Sequence, residues 1–164
     1  MQVARARGAR AILADVQAAR LEMARSLGPW RLVDSSSANL VAEVRALTDG
    51  RGADVAIVAC AARTAQAQAV ELVRKRGRVV LFGGLPREDP STTLDANRIH
   101  YGELRLLGAF SYHPSYHQVA LELIERGVIE AGKIVTATYP LARAVEAFAA
   151  ARSPAALKVV IRGE

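Results

Sequence analysis

The sequence predicts an α/β fold, a parallel sheet with helices on both faces. Short apolar runs alternate with helix-period stretches through most of the chain. The apolar runs lack the polar alternation of a half-exposed strand, as strands buried on both faces do. Glycine and polar turn clusters mark most of the changes from one type to the other. Such alternation is the signature of parallel β-α-β units.

The chain has 164 residues, 51% of them hydrophobic and 23% charged, which is ordinary for one globular domain. At this size about 68–70% of the unfolded surface can be buried, enough for a real core. The net charge is +6. Its arginines are spread along the chain, which suggests a solvated surface and no nucleic-acid partner. The densest run, Arg74-Lys75-Arg76, falls where a helix is expected to end and cations favour the dipole; a phosphate-binding patch is the lesser alternative. Cys60 is the single cysteine, so there is neither a disulfide framework nor a thiol cluster for structural zinc. A reducing, cytoplasmic compartment fits. No run reaches the ~20 apolar residues of a membrane span, and the basic N-terminus has no apolar segment after it to make a secretory signal.

Taken in order, residues 2–7 read as the end of a helix that Gly8 caps. Residues 11–15, Ala-Ile-Leu-Ala-Asp, read as a buried strand. A helix over 18–27 carries Leu21, Ala24 and Leu27 and closes at Gly28. Residues 31–33 form a short strand, and Ser35, Ser36 and Ser37 offer helix-capping hydroxyls. Leu40, Val41, Val44 and Leu47 share one helical face, and residues 48–52 turn. A strand over 54–60, a helix over 64–76 and a strand over 78–82 follow, the last ending at Gly83-Gly84. Residues 91–94 read as a short strand and 104–110 as the last strand of the sheet. Beyond it, a helix stops at Gly127, and a strand at 134–138, a helix marked by Leu141, Val145 and Phe148, and a strand at 157–161 stand outside the alternation.

Asp15 closes the first of these strands. A carboxylate there occupies the place where nucleotide-binding sheets hydrogen-bond a ribose; a helix N-cap is the other reading. A ribose-binding Asp lies about 20 residues after a glycine-rich phosphate loop, and Asp15 is too close to Met1 for that. His113 and His117 have a zinc-compatible spacing, but Pro114 sets His113 ahead of the helix and no third ligand is near, so no metal site is assigned. Cys60 has no basic neighbour in sequence and reads as an inert, buried thiol rather than a nucleophile.

Six stretches together resemble the C-terminal half of a medium-chain dehydrogenase/reductase, the zinc-dependent alcohol and polyol dehydrogenase type. They are Arg7-Gly8-Ala9-Arg10 leading to Asp15; Leu47-Thr48-Asp49-Gly50-Arg51-Gly52-Ala53-Asp54-Val55; Gly77-Arg78-Val79-Val80-Leu81-Phe82-Gly83; Asn97-Arg98-Ile99-His100-Tyr101 with Glu103; Pro140-Leu141 with Ala147-Phe148; and Ala156-Leu157-Lys158-Val159-Val160-Ile161. The sorbitol and threonine dehydrogenase branch is the nearest in character.

The resemblance implies a truncated Rossmann domain over residues 1–111, lacking its first strand and glycine loop. Residues 112–164 would be the segment that completes the catalytic domain. It implies NAD as cofactor, with Asp15 on the adenosine ribose and Arg20 reaching the same sugar; a merely solvated Arg20 is the equal alternative. Cys60 and Ala61 would line the adenine side, Phe82, Gly83 and Gly84 would frame the nicotinamide, Ala109 and Phe110 would offer backbone groups to its carboxamide, and Lys158 would face the pyrophosphate. The family's zinc has no ligands in this chain. Val58 stands where many members have Glu, and Ala61 where Gly is usual. A homo-oligomer paired through residues 91–94 is also implied, with a small-molecule alcohol as substrate of the intact enzyme. The expectation is a fragment that is inactive or weakly cofactor-binding alone; the alternative is a non-catalytic partner subunit. A methyltransferase-like nucleotide binder would also carry an acid at Asp15, but the Lys158 segment has no purpose there. The resemblance further requires the strands at 11–15 and 54–60 to belong to one sheet.

Overall fold

The computed structural model describes residues 1–153 and 155–163. In chain order the elements are α1 Gln2–Ala6, β1 Ile12–Asp15, α2 Ala18–Arg25, β2 Arg31–Asp34, α3 Leu40–Leu47, β3 Ala53–Val58, α4 Arg63–Leu72, β4 Val73–Leu81, α5 Ala96–Gly102, β5 Arg105–Gly108, α6 Ser115–Glu125, β6 Val135–Pro140, α7 Ala144–Ala151 and β7 Lys158–Arg162. Single 3-10 turns lie at Ala131–Lys133 and Leu141–Arg143. Every strand pair is parallel, so the expected α/β, Rossmann-like architecture is present. Two compact units divide the chain, residues 1–37 with 113–164, and residues 38–112.

In the first unit β1 pairs with β2 in register Ile12 with Arg31 through Asp15 with Asp34. The buried Leu21 and Ala24 of α2 and Val33 of β2 form its small core. Gly8 and Gly28, with φ of 82° and 68°, follow the two helices as expected. The late segment joins the early one through two hydrogen bonds. The Glu130 amide donates to Gln2 Oε1 at 2.8 Å, and Lys133 Nζ donates to the Ser26 carbonyl at 3.1 Å. β6 and β7 pair in a sheet of their own, with α7 between them in sequence. Ala147 is the residue of α7 that is buried, whereas Leu141, Val145 and Phe148 are exposed.

The second unit is a three-stranded sheet in the order β3-β4-β5. Its core is Val58, Ala69, Val70, Val73 and Val79, with Leu81, Leu94, Ile99, Leu104 and Leu106 packed around it. Val73 and Val79 are completely buried. β-branched residues dominate this core, as the pleated surface favours.

Four expectations are corrected. The helix expected over 64–76 ends at Leu72, and the chain passes directly into β4. Ala53 pairs with Val73, but Val55 pairs with Arg78, so residues 74–77 bulge from the ladder. Full burial of Val73 holds that end of the strand down, and Arg76 takes a left-handed φ of 60° to make the bulge. The basic run therefore meets carboxylates rather than a helix dipole. Arg74 pairs with Asp54 at 2.5 Å, and Lys75 and Arg76 share Glu103 at 3.1 and 2.8 Å. Residues 91–94 pair with no strand; Thr92 Oγ1 donates to the Arg63 carbonyl at 3.3 Å, and Leu94 packs on the core. The α3 cap is Asn39, which accepts from the Ala42 amide, while Ser36 bonds to Asp34 instead. Finally, β1 and β3 belong to separate sheets, each pairing only with its outer neighbour. Doubly wound sheets of this type place a further strand between those two, so separation follows wherever that strand is not part of the chain.

Candidate functional site

In open α/β sheets ligands bind at the carboxyl ends of the strands, so the predicted site residues are read there. In the second unit β3 and β4 converge at those ends. The amides of Phe82 and Gly83 both donate to the Val58 carbonyl, at 3.0 and 2.8 Å. A Cβ built on Gly83 would lie 2.5 Å from the Cys60 carbonyl oxygen and 2.7 Å from its nitrogen. Backbone thus presses on backbone, and only glycine fits. Gln66 of α4, 5% exposed, donates from Nε2 to the Gly83 carbonyl at 3.1 Å. The Ala109 amide donates to the Leu81 carbonyl at 3.1 Å, tying the end of β5 to β4.

The structure therefore brings Cys60, Phe82, Gly83 and Ala109 to one end of one sheet; Cys60 is exposed there, not buried as expected, because it lies past the end of β3. Ala61 and Gly84 stand exposed beside them in sequence, and a Cβ built on Gly84 has no atom within 4 Å beyond those of its chain neighbours. Phe82 is 61% and Phe110 99% exposed, so two aromatic rings are left uncovered at these strand ends.

In the first unit Asp15 ends β1. Its Oδ1 accepts from the Gln17 amide at 2.9 Å, a local turn that precedes α2. The N-cap of α2 is Gln17, so the N-cap reading of Asp15 does not hold. The second carboxylate oxygen accepts no bond from the described residues. Arg20 is exposed in the first turn of α2, and Lys158 is exposed at the start of β7.

Two polar residues here escaped the sequence reading. Asp34 closes β2 and is the register partner of Asp15, so two carboxylates sit side by side. Hydrogen bonds from the Ser36 hydroxyl and amide hold the Asp34 carboxyl below its ordinary range. The signal was available, because Arg-Leu-Val-Asp repeats the apolar run closed by an acid. Gln66 is the other. A polar side chain in the Ala-rich stretch Thr64-Ala-Gln-Ala-Gln-Ala gives no hint that its amide is buried against a loop.

Within its own unit Asp15 leaves one carboxylate oxygen open at the end of β1, and within the other Gly83 leaves bare backbone at the ends of β3 and β4. Among the described residues no group of three or more His, Cys, Asp or Glu is placed to hold a metal ion. None of their helices is long and apolar enough to cross a membrane.

The family model for zinc-binding dehydrogenases matches residues 1–126. The chain belongs to that family. It is 30% identical over 163 residues to D-arabitol-phosphate dehydrogenase of Enterococcus avium, covering 98% of itself and 46% of that protein. It is 28% identical over 162 residues to sorbitol dehydrogenase of Halalkalibacterium halodurans, covering 98% of itself and 47% of the relative. Among solved structures, a zinc-binding dehydrogenase from Sinorhizobium meliloti bound to NADP superposes with a TM-score of 0.86 at 30% identity, over 98% of this chain and 48% of that one. The chain thus spans about half the length of the curated relatives it matches.

Proposed function

We propose that this chain is the cofactor-binding portion of an NAD-dependent, zinc-type alcohol or polyol oxidoreductase of the sorbitol and threonine dehydrogenase branch. The observation that carries the reading is Asp15, a carboxylate with one oxygen open, at the carboxyl end of a parallel strand in a chain of this family. Asp15 accepts from the ribose hydroxyls, and Arg20 reaches the same sugar. Cys60 and Ala61 line the adenine side, and Phe82, Gly83 and Gly84 frame the nicotinamide. Ala109 and Phe110 offer backbone groups to its carboxamide, and Lys158 faces the pyrophosphate. The solved relative bound NADP, but a carboxylate at position 15 repels a 2′-phosphate, so NAD is the cofactor proposed here. In the whole enzyme the substrate is a small-molecule alcohol, the zinc polarises its oxygen and NAD takes the hydride. The names of the polyol relatives support that substrate class.

Residues 1–111 form the dinucleotide-binding domain in this reading, and 112–164 complete the catalytic domain. The working form is a homodimer. Among the described residues no strand pairs with residues 91–94, which supports their use as the edge offered to a second copy. Light scattering on the purified chain tests this: a dimer is expected, and conversion to monomer by Thr93→Pro supports pairing there.

Titration calorimetry with NADH and NADPH tests the cofactor. NADH is expected to bind more tightly than NADPH, and Asp15→Asn to narrow the difference by about tenfold. Equal affinities in the unaltered chain would overturn the assignment.

A further inference from the structure

The second unit has an end opposite to its cofactor residues, and the fold makes it basic. The amino ends of β3, β4 and β5 share one rim because the strands are parallel. Residues far apart in sequence therefore meet there: Arg51 just before β3, the run Arg74-Lys75-Arg76 with Arg78 on β4, and Arg105 on β5. Two carboxylates pair with these cations, and Asp49, two residues before Arg51, is a third acid at the rim. Asp54 takes Arg74, and Glu103 takes Lys75 and Arg76. Asp54 lies within the fields of Arg51 and Arg78 as well, and its carboxyl is held below the ordinary range, mainly by the hydrogen bond from Arg74.

Arg51, Arg78 and Arg105 are exposed and make no ion pair among the described residues. Arg78 and Arg105 are direct register partners on neighbouring strands, which lie about 4.8 Å apart. Like charges held opposite each other on a sheet are destabilising. An exposed aromatic stands at the same rim. Tyr101, 72% exposed, lies in the last turn of α5 and meets the His100 ring edge-on at 4.9 Å and 71°. Glu103, two residues on, carries Lys75 and Arg76.

We propose that this rim binds single-stranded nucleic acid, with Arg51, Arg78 and Arg105 on the phosphates and Tyr101 as a stacking platform for a base. Unpaired cations beside an exposed ring are the combination such strands require. Arginine forks match phosphate oxygens bidentately. The cations are dispersed along the sequence, but the parallel winding of β3, β4 and β5 brings them to one rim. An anionic membrane is the competing polyanion. It is disfavoured because, apart from Tyr101, the exposed large apolar residues of this unit lie away from the strand starts, as Ile57, Phe82, Leu107 and Phe110 do.

The test is fluorescence anisotropy of a labelled oligouridylate of about 20 nucleotides with the full chain over a salt series. Binding should weaken with salt, with a log–log slope of about −2 for three phosphate contacts. Arg78→Gln with Arg105→Gln should weaken binding about tenfold and flatten the slope by about 1.4. Tyr101→Ala should weaken it at least about fivefold and leave the slope unchanged, a split that loss of folding would not produce. The control, Arg25→Gln with Arg143→Gln, removes the same charge elsewhere and should change affinity less than about twofold. Absence of binding, an equal loss in the control, or binding to phosphatidylserine vesicles in place of the oligonucleotide would each overturn the proposal.

Discussion

Gly83 has no room for a methyl group. The atoms that a Cβ would meet belong to the Cys60 backbone, which cannot swing aside as a side chain can. Gly83→Ala should therefore destabilise the chain by about 1–3 kcal/mol, read as a lower urea midpoint with unchanged slope. Gln66 acts on the same loop from beneath. Its Nε2 donates to the Gly83 carbonyl from a nearly closed environment. Gln66→Leu removes the donor and leaves that carbonyl unpartnered, at a cost of about 1–2 kcal/mol. If the site reading is right, the same substitution weakens NADH binding more than it lowers stability. Equal loss in Gln66→Leu and in a remote core variant such as Leu21→Ala would show Gln66 to be a packing residue only.

At the scale of elements, the bulge in β4 is anchored by the buried Val73 and carries exposed ion pairs to Asp54 and Glu103. Glu103 is kept ionised below its usual range, first by its hydrogen bond to Arg76 and then by that to Lys75. A carboxylate with a lowered folded-state pKa adds stability above its unfolded value and loses that contribution as pH falls through the lowered one. The urea midpoint should thus fall as pH drops below the ordinary glutamate value of about 4.3, and Glu103→Gln should flatten the fall. An identical acid profile in that variant would remove Glu103 from the account. The same bulge shows what the sequence could convey. The strands at β1, β2, β3 and β5 were legible because each is a short apolar run between helix-period stretches. The start of β4 was not, because Val-Arg-Lys-Arg continues the apolar spacing of α4 without a break. Only the tertiary fit of Val73 and the two carboxylates reached across strands end the helix at Leu72. Asn39 escaped for a different reason: three serines ahead of it offered equally good caps, and Asp34 claimed the Ser36 hydroxyl. At the candidate site, Asp15 and Gly83 were visible from position and residue type, whereas Gln66 matters through a contact that no local pattern encodes.

At the scale of the whole molecule, the proposed cofactor residues divide between the two units. Asp15, Arg20 and Lys158 belong to one, and Cys60, Phe82, Gly83 and Ala109 to the other. The 164 residues contain no Gly-x-Gly-x-x-Gly loop, the element that presents helix amides to the pyrophosphate between the two halves of the ligand. Sugar and ring contacts without that loop should give NADH a Kd above about 100 μM for this chain, about −5.5 kcal/mol. The half-ligands separate the contributions. In the proposed binding mode, Asp15→Asn should weaken adenosine diphosphate ribose and leave nicotinamide mononucleotide unchanged, because the carboxylate is assigned to the adenosine sugar alone. Crowding the nicotinamide end with Gly84→Val should do the reverse, since the space above Gly84 is open and a Cβ there has no atom within 4 Å beyond those of its chain neighbours. Should both variants weaken both half-ligands alike, the binding residues would be acting through the stability of the fold. A low-micromolar Kd for NADH would instead mean that pyrophosphate contacts arise within these 164 residues, with Lys158 the first to replace.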